Sequence, residues 1–566
     1  MVSPSANGGS GGNASPTGSG GTPGTGATSG TGSVSGSGSS SGSGGAPSTA
    51  TVLPARVRRL TNAEYDAAVQ ALLGTTASMS DKFSFPPDAR QGPANAPAGP
   101  AFTVNDAQRV DPVLADKLDA AAQAIVTEAR SNGKLAALAP CTNPTSGGEA
   151  CAKTFLQTFG AKAYRRALTN DELTGLVSGP TSVYHVGADG FTYNDGIDLL
   201  TRVLLQSAGF IYLTELGDSG AGSTFDLTAN ETAHALSFLL TAGPADDTLM
   251  GSAASGMLAT PDGREAEARR LLATPKGQAR FVRVIKEWLG ITDVAHREKA
   301  QDVYPTFAGV AKSMESESDA FISEVLYKST GTLTELLTAD WTITDGSLAS
   351  VYGVQSAGAG KRTPLTAAKR RGILGQGAFL SVFANNNSSH PVFRGVAILR
   401  RVACINVPDP SVQGIVVSFP AADTTKTTRA RFEDHAKDTR CAACHKTIDA
   451  VGFAFDNFDG MGKERTSENN LPVDTSVTVT TGADFDGTYA DGGALLTAMA
   501  RSTAVKTCLA RQIFHSAAAR SDSSVAGVEN AFIDVWKALP AAKQDNLLEV
   551  LVAFVRSPLF VQRRTP

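Results

Sequence analysis

Apolar residues recur at helical spacing along most of the chain between 56 and 350, and three stretches begin such helices in the same way. Leu60-Thr61-Asn62-Ala63-Glu64, Leu168-Thr169-Asn170-Asp171-Glu172 and Leu227-Thr228-Ala229-Asn230-Glu231 each place Thr three residues before Glu. This is the capping box, in which the Thr oxygen accepts an otherwise orphaned N–H and the Glu reaches back to the cap. After the first box, Tyr65, Ala68, Val69, Leu72 and Leu73 follow at helical period and Gly74 ends the run. After the third, Ala235, Leu236, Leu239 and Leu240 repeat the pattern. Further helices are predicted over 262–275, 277–289, 314–327 and 332–338. The apolar segment from Leu547 to Val555 predicts a buried helix. Strand patterning is scarce, its best case being Val473 to Thr480, where valines alternate with polar residues from Val477 onward. The expected fold class is mainly α, a multi-helical array with little β structure.

Gly-, Pro- and Ser-rich breaks at about 95–105, 141–150, 216–224, 355–365 and 466–490 mark domain boundaries in a chain of 566 residues, for which about three or four domains are expected. Composition changes abruptly at the start. Residues 1–50 contain no Asp, Glu, Lys or Arg, and the first charge is Arg56. Residues 1–52 read as a Gly/Ser/Thr linker spanning about 40 Å root-mean-square as a flexible coil, either a surface tether or a tail without function. Such tethers commonly follow a secretion signal or lipid anchor, but no charged n-region or apolar h-region precedes this one. Either the sequence begins downstream of the true start or the protein is not exported. The net charge of −4 gives no reason to expect nucleic acid or an anionic membrane as partner. No run approaches the roughly 18 apolar residues of a transmembrane span.

One motif carries chemistry. In Cys441-Ala442-Ala443-Cys444-His445, two thiols three residues apart on one helical turn can reach the vinyl groups of a haem, and the adjoining His presents a nitrogen to iron. Cys441 and Cys444 are then thioether anchors of haem c, and His445 is the proximal iron ligand. Three other readings compete. A thioredoxin-like dithiol would follow a strand in a βαβ unit, which the pattern lacks. A short-loop disulfide remains open. So does a zinc site completed by His435, although adjacent Cys444 and His445 fit one tetrahedral ion awkwardly. With haem, Met461 is the nearest downstream Met and the candidate distal ligand, with His390 and His435 as alternatives. A ligand at that position gives electron transfer, and an open one permits peroxide or oxygen chemistry.

The residues around the motif, His435-x5-Cys441 to His445 and then Ile448-Asp449-x-Val451-Gly452-Phe453-Ala454-Phe455-Asp456-Asn457-Phe458-Asp459, resemble the cytochrome-c-like module of a planctomycete and myxobacterial family of secreted proteins built from domains of unknown function. Arg58 to Tyr65 with Leu72-Leu73-Gly74 resembles the family's first domain, and Tyr164 to Thr169 its second. Leu204 to Tyr212 and the Leu227–Leu240 helix resemble its third. Arg371 to Leu374 and Pro391 to Gly395 resemble the opening of the cytochrome-like module, and Cys508 to Gln512 with the Leu547–Phe560 helix the closing domain. The likeness covers nearly all of 56–560. Met461 and Ile448 stand where members more often carry another apolar residue and Met, and a second cysteine that often follows Cys508 is missing.

The resemblance implies an extracytoplasmic (periplasmic, outer-surface or secreted), mainly helical protein with a c-type haem, and no particular reaction. It implies helical domains at 53–140, 141–220 and 221–360, a cytochrome-c-like module at 361–485 and a C-terminal helical domain at 486–566. Cys141 and Cys151 flank a nine-residue loop that a disulfide would close. Cys404 and Cys508, in the cytochrome-like and closing regions, would staple the two together, leaving two of the six cysteines for haem. Disulfides and haem attachment both belong outside the cytoplasm.

Weaker constellations add nothing. Gly353-x4-Gly358 with Lys361 lacks the register of a phosphate loop. Asp484, Asp486 and Asp491 lack the closing Glu of a calcium loop and are read as a surface turn. Asp456, Asn457 and Asp459 are read as caps and turn formers, and His185, His234, His296 and His515 as isolated residues. Two functions therefore stand. One is a haem protein for electron transfer, or an oxidoreductase with an open iron site and His390 or His435 as distal acid/base, served by a redox partner protein or a small-molecule electron donor or acceptor. The other is a non-enzymatic, disulfide-stapled surface or scaffold protein in which the motif is structural or binds zinc.

Overall fold

A computed structural model describes residues 52–91, 102–103, 105, 108–142, 148–180, 182–186, 191–218, 222–366, 369–408, 420, 423–435, 437, 439–520 and 525–565. The linker expected over 1–52 lies outside the described residues apart from Val52. The fold is mainly α. All three capping boxes form, at Thr61/Glu64, Thr169/Glu172 and Thr228/Glu231, opening the helices Asn62–Leu73, Asn170–Val177 and Ala229–Thr241. A fourth, Thr192/Asp195, opens Tyr193–Gln206, with Asp in place of Glu. Gly74 closes the first helix at φ +69°, its N–H donating to the Gln70 carbonyl, a left-handed cap that favours glycine. Pro261–Leu272 and Pro275–Leu289 each start with a capping Thr followed by Pro at the first helical position, where a missing N–H costs nothing. The helix expected over 314–327 runs instead from Phe307 to Lys328, because Phe307, Val310 and Ala311 extend its buried stripe one turn and more toward the N-terminus.

Two hydrophobic cores form. One gathers residues from Leu60 to Leu213 with Phe238, around the helices Pro112–Ser131 and Tyr193–Gln206. The other draws on residues from Ala233 to Phe560, with Leu53 and Phe102 joining it. The Leu547–Arg556 helix is buried along nearly its whole length in this second core.

Short strands tie distant parts of the chain together. Arg56–Arg59 pairs antiparallel with Tyr212–Glu215. Leu53–Pro54 lies parallel to Gln562–Arg564, which pairs antiparallel with Thr224–Asp226. The alternating valines become a strand only over Val477–Val479, paired with Gly487–Tyr489, with both valines buried and Thr478 exposed between them. Where these segments meet, the buried carboxylate of Glu215 accepts from three arginines: Arg56 at 2.7 Å, Arg563 at 2.6 Å and Arg520 at 3.3 Å. Burial alone would raise the Glu215 pKa, but the three guanidiniums hold it well below the ordinary value.

Both expected disulfides are present, Cys141–Cys151 and Cys404–Cys508. The second closes a separation of 104 residues. Chain entropy assigns a loop of that length about 4–5 kcal/mol of stabilisation. Among the described residues, no helix is long and apolar enough to cross a membrane.

Candidate functional site

Cys441, Cys444 and His445 lie on the helix Thr439–Phe453. Its inner face is apolar, with Ile448, Val451 and Phe453 buried, and Cys444 packs against the larger core. Cys441 and Cys444 are free thiols, both half-buried. Three residues of helix separate them by about 4.5 Å along the axis and place them on neighbouring sides of one turn. One turn further on, the buried carboxylate of Asp449 meets Nδ1 of His445 at 3.0 and 3.2 Å. A carboxylate at that nitrogen favours the tautomer with the proton on Nδ1, so the ring lone pair sits on Nε2.

The helix is seated by contacts that only glycine permits. It crosses Pro391–Ala397 so closely that a Cβ on Gly452 would stand 2.0 Å from the Pro391 carbonyl oxygen, and one on Gly395 would stand 2.1 Å from that of Ile448. Arg394, fully buried beside this crossing, donates to the carbonyls of Phe455, Phe458, Leu380 and Asp459. Its guanidinium thus holds the turn that follows the motif helix. Burial lowers its pKa to about 10, too little to discharge it at neutral pH.

His390 caps the crossing helix. Its Nδ1 accepts the Phe393 N–H at 3.1 Å, its ring stacks on Phe393 at 3.6 Å, and Phe432 meets it edge-on. Burial, reinforced by the charge of Arg394, pushes its pKa down to about 3, and the field of His445 also reaches it. His390 therefore lies near the motif as a neutral imidazole with Nδ1 committed to the backbone. Met461 is buried in a tight turn. Its N–H donates to Asp459 Oδ1, and its sulfur accepts from the Thr306 hydroxyl at 3.8 Å. His435 ends the helix Thr428–His435, and its side chain lies outside the described residues. Among the described residues no three His, Cys, Asp or Glu side chains gather as metal ligands.

The other acidic candidates have local roles. Asp459 accepts from the N–H groups of Met461 and Lys463, as a turn former does. Asp456 is instead buried against Arg465 and Ser389. Asp484 and Asp491 cap separate helices, and Asp486 holds the turn at Thr481 and Gly482. His515 is not isolated, since its Nε2 meets Glu529 at 2.7 Å. Asp449 escaped sequence reading, although its spacing of four from His445 on a helix was a usable signal. Nothing in the sequence marks Arg394 as buried.

His390 shares its protonation behaviour with His234, which burial and Arg165 also push down to about 3. Both are neutral when folded and titrate near their ordinary value of about 6.5 when unfolded. Their contribution is complete above that value and is lost as pH falls through it toward 3. Stability measured by urea unfolding should therefore decline from pH 6.5 to 4, and His234→Gln should flatten the decline. An unchanged slope in that variant would exclude His234 as a cause.

Four family models match the chain. They are described as Protein of unknown function (DUF1587) over residues 58–131, (DUF1595) over 151–215, (DUF1592) over 227–354 and (DUF1588), named PSCyt3, over 370–468. The motif helix falls within the last. No curated protein and no solved structure matches.

Proposed function

We propose that this chain, a series of domains of unknown function that includes one with a cytochrome-type name, is an extracytoplasmic c-type cytochrome-like protein carrying one covalent haem. The observation that carries the reading is a single helix bearing two free thiols one turn apart, followed by a histidine whose Nδ1 is held by a buried carboxylate. The donor set fits haem c. Cys441 and Cys444 would supply two thioether anchors, and His445 would offer Nε2 to iron. When bound, the haem supplies the iron that changes oxidation state. The chain's own residues orient and tune it. Gly395 and Gly452 fix the helix, Arg394 fixes its exit turn, and Asp449 keeps the proton on Nδ1 and holds the ring at one angle. The two disulfides are compatible with a compartment outside the cytoplasm.

The test is expression with c-type maturation machinery. Haem staining of a denaturing gel should reveal a covalent band that disappears in the Cys441→Ser/Cys444→Ser double variant. No Soret band, with both thiols free or joined in a disulfide, would favour a non-enzymatic scaffold. One equivalent of zinc would favour a structural metal site.

Asp449 gives a second measurement. A carboxylate bound to Nδ1 makes the imidazole a stronger donor and favours the more oxidised iron. Asp449→Asn should raise the midpoint potential in a redox titration while covalent haem content stays constant. An unmoved potential would remove Asp449 from the role of positioning residue.

A further inference from the structure

A cleft of about 420 Å³ opens where the Asn62–Leu73 helix, the strands Arg56–Arg59 and Tyr212–Glu215, the helices Ala229–Thr241 and Pro275–Leu289 and the C-terminal segment converge. None of its lining residues belongs to the motif helix. Its volume lies within the range of sites that enclose small organic molecules.

The charges of this cleft are unequally committed. Its acids are already engaged. Glu64 takes both arms of Arg58, Glu215 takes three arginines, and Glu287 accepts from Arg283 and the Thr103 hydroxyl. Asp88 accepts from Asn62 and Asn105 beside Arg59, and Glu231 accepts the N–H groups of Leu216, Gly217 and Thr228. Several lining donors have capacity to spare. Lys276, Arg280 and Arg283 fall at intervals of four and three along one helix, which places them on one face. Lys276 is exposed and makes no salt bridge or side-chain hydrogen bond among the described residues. Among the described residues Arg280 makes a single hydrogen bond, 3.5 Å from Nε to the Leu239 carbonyl, and its charge also reaches Glu64. On the adjoining Ala229–Thr241 helix, His234 accepts the Ala245 N–H through Nδ1, so the neutral ring carries its proton on Nε2 as a further donor. Apolar side chains complete the lining: Leu53, Leu213, Phe554 and Phe560, all largely buried, and Phe238, whose ring also meets the Arg165 guanidinium at 5.4 Å.

We propose that this cleft binds a small organic anion, its carboxylate, phosphate or sulfate group held by Lys276, Arg280 and Arg283 and its apolar body set against the aromatic wall. Guanidinium groups match such oxyanions in two-pronged geometry, and Lys276 adds a point charge. This site does not depend on haem, and the two readings stand or fall separately.

Isothermal titration with phenyl phosphate and with benzoate tests the proposal on the full chain, with benzyl alcohol and inorganic phosphate as the neutral and headless comparisons. At least one of the two aromatic anions should bind, and both comparisons should bind at least tenfold more weakly. Arg280→Gln should weaken the anion at least tenfold. Lys276→Gln, at an exposed position without a salt bridge, should do so without altering thermal unfolding, which keeps the test valid if Arg280→Gln misfolds. Arg501→Gln, at the exposed end of the helix Gly492–Arg501 outside the cleft, should bind as the parent does. Failure of both anions to bind at millimolar concentration overturns the proposal. So does benzyl alcohol binding as tightly as the anions, or unchanged binding in both charge variants. Inorganic phosphate binding as tightly as phenyl phosphate would overturn the role of the apolar wall.

Discussion

Replacing Glu215 by glutamine is expected to destabilise the protein by about 3–5 kcal/mol, because it removes the buried carboxylate on which three arginines converge. Arg520 and Arg563 are almost entirely buried, so water cannot readily take the carboxylate's place. Backbone carbonyl contacts such as Arg520 to Pro54, Arg56 to Ala519 and Arg563 to Phe560 satisfy N–H groups but neutralise no charge. Domains are commonly stable by only about 5–15 kcal/mol, so the variant should approach the limit of folding. Urea unfolding of Glu215→Gln beside Glu215→Asp measures the effect. Aspartate keeps the charge with a shorter reach and should recover part of the loss. A loss below about 1 kcal/mol would place the pair among weakly coupled surface bridges.

The second large effect inverts an ordinary rule. Glycine to alanine inside a helix usually stabilises by about 1 kcal/mol. At Gly452 and Gly395 the added methyl carbon would collide with backbone oxygen of the opposing helix at 2.0 and 2.1 Å, and a backbone oxygen cannot rotate aside. Either substitution must push the motif helix off Pro391–Ala397, which should cost about 1–3 kcal/mol and disturb the seat of Cys444 and His445. Gly251→Ala is the comparison, since its helix Asp247–Ala254 is open there, and it should gain stability. Thermal unfolding of the three variants decides the matter. A stabilised Gly452→Ala would mean that the two helices are not in contact as described.

What could be read from the sequence was what is local in the chain. The Thr-x-x-Glu boxes act within one turn, so their formation at Thr61, Thr169 and Thr228 followed from spacing alone. Cys141 and Cys151 are ten residues apart and were similarly readable. The partner of Cys404 came from domain resemblance, since no local pattern reaches Cys508. The long-range elements left little trace. Strands of two to four residues, such as Leu53–Pro54 and Gln562–Arg564, are too short for a period-two pattern. Burial of charged residues runs against the usual expectation that arginine and glutamate face water, which hid Glu215, Arg394 and the cleft around Arg280. At the candidate site the thiols and histidine were evident, while the residues that hold them came only from packing.

The strand Gln562–Arg564 bears on the order in which this protein can be assembled. A polypeptide is made from its N-terminus, yet Leu53–Pro54 and Thr224–Asp226 both pair with these closing residues, and Arg563 completes the shell around Glu215. The junction must therefore wait for the final residues of the described chain, while Cys441 and Cys444 emerge more than a hundred residues sooner. The two free thiols are thus synthesised in a chain whose closing strand does not yet exist.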